Sequence, residues 1–208
     1  MSYKITQQDY DTILFLTRLA YYEGVDDIYP EPFDKISTVK SFSGLRLNMF
    51  DMDDYTLFII CGTNSLIDWV ANCKVALNVV PHQYEQAYLY IKNNAPHHNK
   101  PIVVAGHSLG GGIAEYVASN LCYHDQVICI TFNGCGCSHL IQPILRKEVD
   151  VINIITDSDI LNGITMRLPF AQYYMQHCGT IYVVEDSSSL PLSVKAHSDF
   201  KAMTKVKL

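Results

Sequence analysis

The stretch Gly106-His107-Ser108-Leu109-Gly110-Gly111 carries the plainest chemical potential in this chain. A serine hydroxyl attacks a carbonyl only when a neighbouring base takes its proton and when donors await the charge that develops on the carbonyl oxygen. The spacing Gly-x-Ser-x-Gly meets the steric half of that requirement. Glycines two before and two after the serine let a strand and a helix meet at a sharp turn, which lifts the hydroxyl out of the backbone. The first N–H groups of the helix then face the developing oxyanion, and the N–H of Leu109, directly after the serine, is the nearest of them. The chemistry implied is acyl transfer, with Ser108 as nucleophile.

Such a turn works only between a buried strand and a helix, and the flanking residues supply both. Ile102-Val103-Val104-Ala105 is a short apolar run. Residues 109–121 place Ala114, Val117, Ala118 and Leu121 on one helical stripe. The rest of the chain continues the alternation. Residues 7–23 read as a helix closed by Gly24, and residues 82–94 as another, with Tyr84, Ala87, Tyr88 and Ile91 on one face. Gly44 to Phe50 alternates as a half-buried strand, Asp51 to Asp54 suits a turn, and Tyr55 to Cys61 is apolar enough for a strand buried on both faces. Strands are expected at Val127–Phe132, Val151–Ile155 and Thr180–Val184, a helix at Ser138–Lys147, and a closing helix over the last dozen residues. Asp26 to Ser37, with two prolines and several charges, reads as a surface connection. Strands alternating with helices predict a mostly parallel central sheet flanked by helices.

Composition narrows the function classes. A chain of 208 residues fits one domain, 1–208, with enough hydrophobic residues for a real core. The net charge is −6 and the C-terminal lysines Lys201, Lys205 and Lys207 read as a solvated face, so no nucleic-acid partner is expected. Seven cysteines at irregular spacing, several among apolar residues, suit buried thiols in a reducing compartment; a cytoplasmic location is the expectation, with no signal peptide core or bilayer-spanning run in view. Cys135 and Cys137 form a close pair, but no second pair follows, so no metal site is expected.

Four blocks of this chain resemble the class 3, fungal-type lipases and look closest to small bacterial-type relatives. They are Leu19-Ala20-Tyr21-Tyr22; Ile59-Ile60-Cys61-Gly62-Thr63 followed by Asp68-Trp69; Val103 to Gly111; and Ile130-Thr131-Phe132-Asn133-Gly134. Cys61 stands where many members carry arginine, and the segment after Trp69 is much shorter than in the fungal enzymes. The resemblance implies an α/β-hydrolase fold with a minimal cap, a Ser-His-Asp triad and no cofactor. It implies a second oxyanion donor at Thr63. Trp69 is a candidate for the wall of the acyl site, set against a plain core role.

In that fold the acid and base follow the nucleophile along the chain. Asp159 fits the family pattern, in which two apolar residues follow the acid, here Ile160 and Leu161; Asp157 is its rival. The base must be His177 or His197. His197 resembles the family's late loop histidine, whereas His177 precedes a strand and is expected at the end opposite the elbow. The implied activity is hydrolysis of a carboxylic ester, with a small ester or lipid as substrate and transient contact with a membrane surface. A thioesterase, acyltransferase or peptidase could use the same triad, and an inactive lipid- or protein-binding scaffold is the reading from a different class. Val70 to Pro81 is too short for a hinged lid helix, so an open site without interfacial activation is expected.

Overall fold

The computed structural model describes residues 3–22, 33, 35–40, 44–61, 82–95, 100–121, 126–142, 145, 149–162, 176–185 and 193–208. Among these, seven strands form one sheet in the order in which they occur along the chain. They are β1 (Lys35–Lys40), β2 (Arg46–Asp51), β3 (Thr56–Cys61), β4 (Ile102–His107), β5 (Val127–Phe132), β6 (Asp150–Thr156) and β7 (Thr180–Val184). β1, β2 and β3 pair antiparallel, and β3 through β7 pair parallel. The mostly parallel sheet expected from the strand–helix alternation is present.

Two faces of helix cover this sheet. On one side α2 (His82–Asn94) and α3 (Leu109–Asn120) bury Tyr84, Ala87, Ile91, Ile113, Ala114 and Val117 against Phe58, Ile60, Val104 and Cys129. On the other, α1 (Gln7–Tyr22) and two C-terminal turns, α4 (Val194–His197) and α5 (Phe200–Met203), complete the layer. There Tyr10, Ile13, Leu16, Phe200 and Met203 meet Leu57, Ile59, Val103, Ala105 and Ile130. Adjacent residues of β3 and β4 thus serve opposite cores, which is why both strands are apolar throughout. α1 starts on a reciprocal cap: Thr6 N–H donates to Asp9 Oδ2 and Asp9 N–H to Thr6 Oγ1. The Tyr10 hydroxyl donates to the Met203 carbonyl and ties α1 to α5.

Three expectations needed correction. The connection drawn from Asp26 to Ser37 conceals the start of β1, an edge strand whose terminal lysines hide its alternation. The helix expected at Ser138–Lys147 is, in its described part, a 3₁₀ turn over Ser138–Leu140, extended backbone at Ile141 and 3₁₀ geometry again at Leu145. Pro143, two residues after Ile141, cannot donate and disfavours helix in the residue before it. The closing helix is broken into α4 and α5, because Ser198 and Asp199 leave the helical path and Asp199 caps the second turn through Ala202 N–H. Gly24 lies outside the described residues.

Candidate active site

Ser108 sits between β4 and α3 with φ 58° and ψ −127°, a left-handed backbone that side chains rarely adopt. Holding a serine there costs about 1–3 kcal/mol, and its surroundings must enforce it. The glycines do so by close approach. A Cβ on Gly106 would stand 2.3 Å from the Gly110 carbonyl oxygen, and one on Gly110 would stand 2.1 Å from the Ile60 carbonyl oxygen. The helix therefore lies against both the incoming strand and the end of β3, where only glycine fits. Ser108 N–H donates to the Phe132 carbonyl, and the Ser108 carbonyl accepts from Gly111 N–H and Cys135 N–H. Leu109 is the first residue of α3, with its side chain buried.

Asp159 and His197 meet although 38 positions separate them, with His197 Nδ1 2.5 Å from Asp159 Oδ1. The carboxylate is fully buried and the imidazole 1% exposed. Asp159 Oδ2 accepts from the Asn162 backbone N–H at 2.8 Å and from Asn162 Nδ2 at 2.7 Å. Asp159 thus caps the helical turn that begins at Ile160 with one oxygen and holds His197 with the other. Asp157, by contrast, is exposed. Because His197 Nδ1 donates to the carboxylate, the neutral ring presents a bare Nε2. That Nε2 is buried and has no hydrogen-bond partner among the described residues. The hydrogen bond to a serine hydroxyl that a triad requires is therefore not formed in this resting geometry, and such bonds commonly tighten only around substrate.

The loop that carries His197 is held by polar side chains that sequence reasoning passed over. Asn133 Nδ2 donates to the carbonyls of Ala196, at 3.1 Å, and His197, at 3.0 Å. Asn133 Oδ1 accepts from Thr156 N–H, and the Thr156 hydroxyl bonds the Ala196 carbonyl. Asn133 has φ 44°, which asparagine tolerates better than most residues, and Asn-Gly at a strand end was a usable signal. His107 Nε2 donates to the His197 carbonyl at 2.7 Å, and the two rings lie 4.7 Å apart. Tyr21 and Phe200 enclose His107 further. Burial pushes the His107 pKa well below the usual histidine value, and neighbouring His197 pushes it the same way; the bond to the His197 carbonyl offsets only part. His107 is therefore neutral, and its remaining nitrogen has no partner to pass a proton to among the described residues.

His177 is not remote, contrary to expectation. Its Nε2 lies 3.1 Å from Asn162 Oδ1, and Asn162 in turn holds Asp159. His177 and Cys178, before β7, both meet α3 at Glu115, whose Oε2 lies 3.2 Å from His177 Nδ1 and whose Oε1 accepts from Cys178 N–H. The helical turn after Asp159 brings Asn162 to the same histidine. Thr63, Trp69 and the segment Val70 to Pro81 lie outside the described residues. Five described cysteines, Cys61, Cys129, Cys135, Cys137 and Cys178, are buried free thiols, and burial pushes the Cys129 and Cys137 thiols well up.

A strained serine elbow at the end of a parallel strand, in a three-layer fold with an aspartate after the sixth strand buried against a histidine after the seventh, defines the α/β-hydrolase class. Solved structures agree on the fold. A lipase from Rhizomucor miehei, in complex with its propeptide, superposes with a TM-score of 0.63 at 16% identity, over 97% of this chain and 76% of that one. A triacylglycerol lipase from Penicillium expansum gives 0.66 at 14% identity, over 86% and 79%. The chain belongs to the Tle-like phospholipase domain family, whose profile matches residues 26–147, a span that includes the elbow and stops before Asp159 and His197. Among curated proteins, the extracellular phospholipase A1 of Serratia liquefaciens is 31% identical over 105 residues, 50% of this chain. The chain spans about a third of that relative's length, 32%.

Proposed function

We propose that this protein hydrolyses the carboxylic esters of lipids, phospholipids among them, through Ser108, His197 and Asp159. The observation that carries the reading is the buried His197–Asp159 pair, which leaves the imidazole Nε2 without a partner among the described residues. In the reaction, His197 Nε2 takes the Ser108 proton as Oγ bonds to the ester carbonyl carbon. The carbonyl π electrons move to oxygen, where the N–H groups of Leu109 and Thr63 stabilise them. Collapse expels the alcohol, which leaves with the proton from His197. Water then repeats the cycle on the acyl-enzyme, with His197 taking its proton, and releases the fatty acid. Asp159 stays ionised throughout and holds the imidazole in the tautomer that leaves Nε2 bare. In this reading Trp69 contacts the acyl chain, and hydrolysis needs no interfacial activation.

The lipid is favoured as substrate by the family of residues 26–147 and by the phospholipase relative. A fluorophosphonate should label the wild-type protein on Ser108 and leave Ser108→Ala unlabelled. Phospholipid vesicles, p-nitrophenyl esters, acyl-CoA and peptides, offered in parallel, should give release from the first two. Labelling that survives in Ser108→Ala would sink the serine mechanism, and turnover of acyl-CoA or peptide alone would move the substrate class.

A further inference from the structure

Behind Asp159 the polar contacts do not stop. They run from Asp159 to Asn162, from Asn162 to His177, and from His177 to Glu115, whose other oxygen accepts from the Cys178 N–H. Glu115 is fully buried, the His177 side chain is 5% exposed and Asn162 is 4% exposed. We propose that Asn162 and His177 are positioning residues for the ester hydrolysis, a second histidine–carboxylate pair that fixes the triad acid through one oriented amide. This inference rests on the triad proposed above.

Donor counting shows how the amide is fixed. Asp159 Oδ2 can only accept, so the Asn162 NH₂ must face it, and Asn162 Oδ1 must then face His177. An amide oxygen also only accepts, so His177 Nε2 must carry a proton. Turning the amide over would set an oxygen against a carboxylate and an NH₂ against an N–H, both repulsive in a dry interior. His177 therefore locks the amide, and the amide locks the plane of Asp159. One proton lies between His177 Nδ1 and Glu115 Oε2 whichever partner holds it, so the pair is neutral as a unit. Among the described residues, the Cys129 and Cys137 thiols near Glu115 add no charge: burial pushes both well up, with Glu115 itself adding to the push. His197, when protonated, is the cation this arrangement faces across Asp159.

A pin that merely joined α3 to the segment before β7 would need no contact with Asp159, and none of its consequences would reach the reaction. Asn162 does reach it. Its NH₂ draws charge from Oδ2 and stops the carboxylate rotating while His197 carries the serine's proton. Removing that donor frees more carboxylate charge to hold the imidazolium, which raises the pH at which His197 becomes a competent base.

The test compares His177→Leu, His177→Gln and Asn162→Ala on a soluble ester, with circular dichroism to confirm the fold. Leucine removes the donor to Asn162, whereas glutamine can supply one. Expected for His177→Leu and Asn162→Ala is a kcat lower by about 10- to 100-fold at unchanged KM, the scale of a misplaced catalytic group. The acid limb of the kcat profile should move to higher pH in both. His177→Gln should restore kcat to within about threefold and return the limb toward its wild-type position. Wild-type kcat and limb in any folded variant lacking the donor would overturn the proposal, as would a glutamine variant no better than leucine. Should leucine not fold, Asn162→Ala, which only removes atoms, decides. Ser108→Ala run alongside separates the two readings, because hydrolysis surviving there refutes the triad rather than the network.

Discussion

The turn that carries Ser108 is held by backbone packed against backbone, whereas the loop that carries His197 is held by side chains from distant strands. At the elbow, Gly106 and Gly110 sit within a few residues of the serine, and the constraint is steric: backbone against backbone, with no room for a Cβ. In the His197 loop the constraint is polar. Asn133 follows β5, Thr156 ends β6 and His107 ends β4, and all three reach carbonyls of α4. Ser193 adds a cap, its hydroxyl accepting from Ala196 N–H, and its backbone bridges to Asp159. A nucleophile must hold one direction against strain, and close packing does that. A base must keep one tautomer and orientation while its charge changes, and hydrogen bonds to its backbone and to Nδ1 do that.

The largest effects should come from the reacting groups themselves, where the two regions are equal. Ser108→Ala and His197→Ala should each lower ester hydrolysis by at least ~10³-fold, because members of a triad act as a unit. The His177 variants should lose far less. An active His197→Ala protein would remove the loop from the comparison altogether. Next comes the acid. Asp159→Asn should cost about 10³-fold or more in kcat, since the amide would impose the wrong tautomer on His197, while exposed Asp157→Asn should stay within about threefold. The reverse ranking would move the acid to Asp157.

The contrast between steric and polar support also explains what could be read from the residues alone. The elbow was legible because its logic is local: an apolar run, two glycines at fixed spacing and a striped helix. Parallel strands buried on both faces, such as β3 and β4, were legible for the same reason. Asn133, Thr156 and Asn162 were not, because nothing beside them in the chain states which distant carbonyl or carboxylate they will meet. His177 was misplaced because its position before β7 says which end of the strand it precedes, but not that its ring will meet Glu115 of α3 and Asn162. The apolar spacing over Ser138–Lys147 misled because Pro143, inside the run, outweighs the period: it cannot donate and it keeps the residue before it out of helix.

A third prediction turns that difference into two kinds of damage. Gly110→Ala would drive a methyl group to 2.1 Å from the Ile60 carbonyl oxygen, and the elbow cannot yield without moving β3. It should lose about 1–3 kcal/mol of stability or more, seen as a lower denaturant midpoint, with activity falling as the fold does. Asn133→Ala takes one donor from each of the Ala196 and His197 carbonyls and leaves the buried Thr156 N–H without the Asn133 Oδ1 it donates to. It should cost about 1–3 kcal/mol as well, but kcat should drop further than the folded fraction, because the base is released. Equal loss of folded fraction and of kcat in both variants would erase the distinction between the regions.

The smallest effect lies where the regions meet. His107 belongs to the elbow by sequence and to the loop by contact, and burial holds its pKa well below 6.5 in the folded protein. Unfolded, it would titrate near its ordinary value. Below about pH 6.5 the unfolded chain therefore binds a proton that the folded one refuses, and stability must fall as pH falls. The slope contributed by this residue is at most about 1.4 kcal/mol per pH unit, and it vanishes above pH 7, where neither state is protonated. His107→Gln keeps a donor for the His197 carbonyl and removes the titration. Urea midpoints at pH 7.5, 6.0 and 5.5 should converge between wild type and variant as the pH drops, with the wild type losing more. Carboxylates and the other histidines contribute to both proteins and cancel in the difference. Parallel curves would mean that His107 takes up its proton in the folded state. A cation would then sit beside His197, and the elbow and the loop would be coupled by charge rather than by one neutral hydrogen bond.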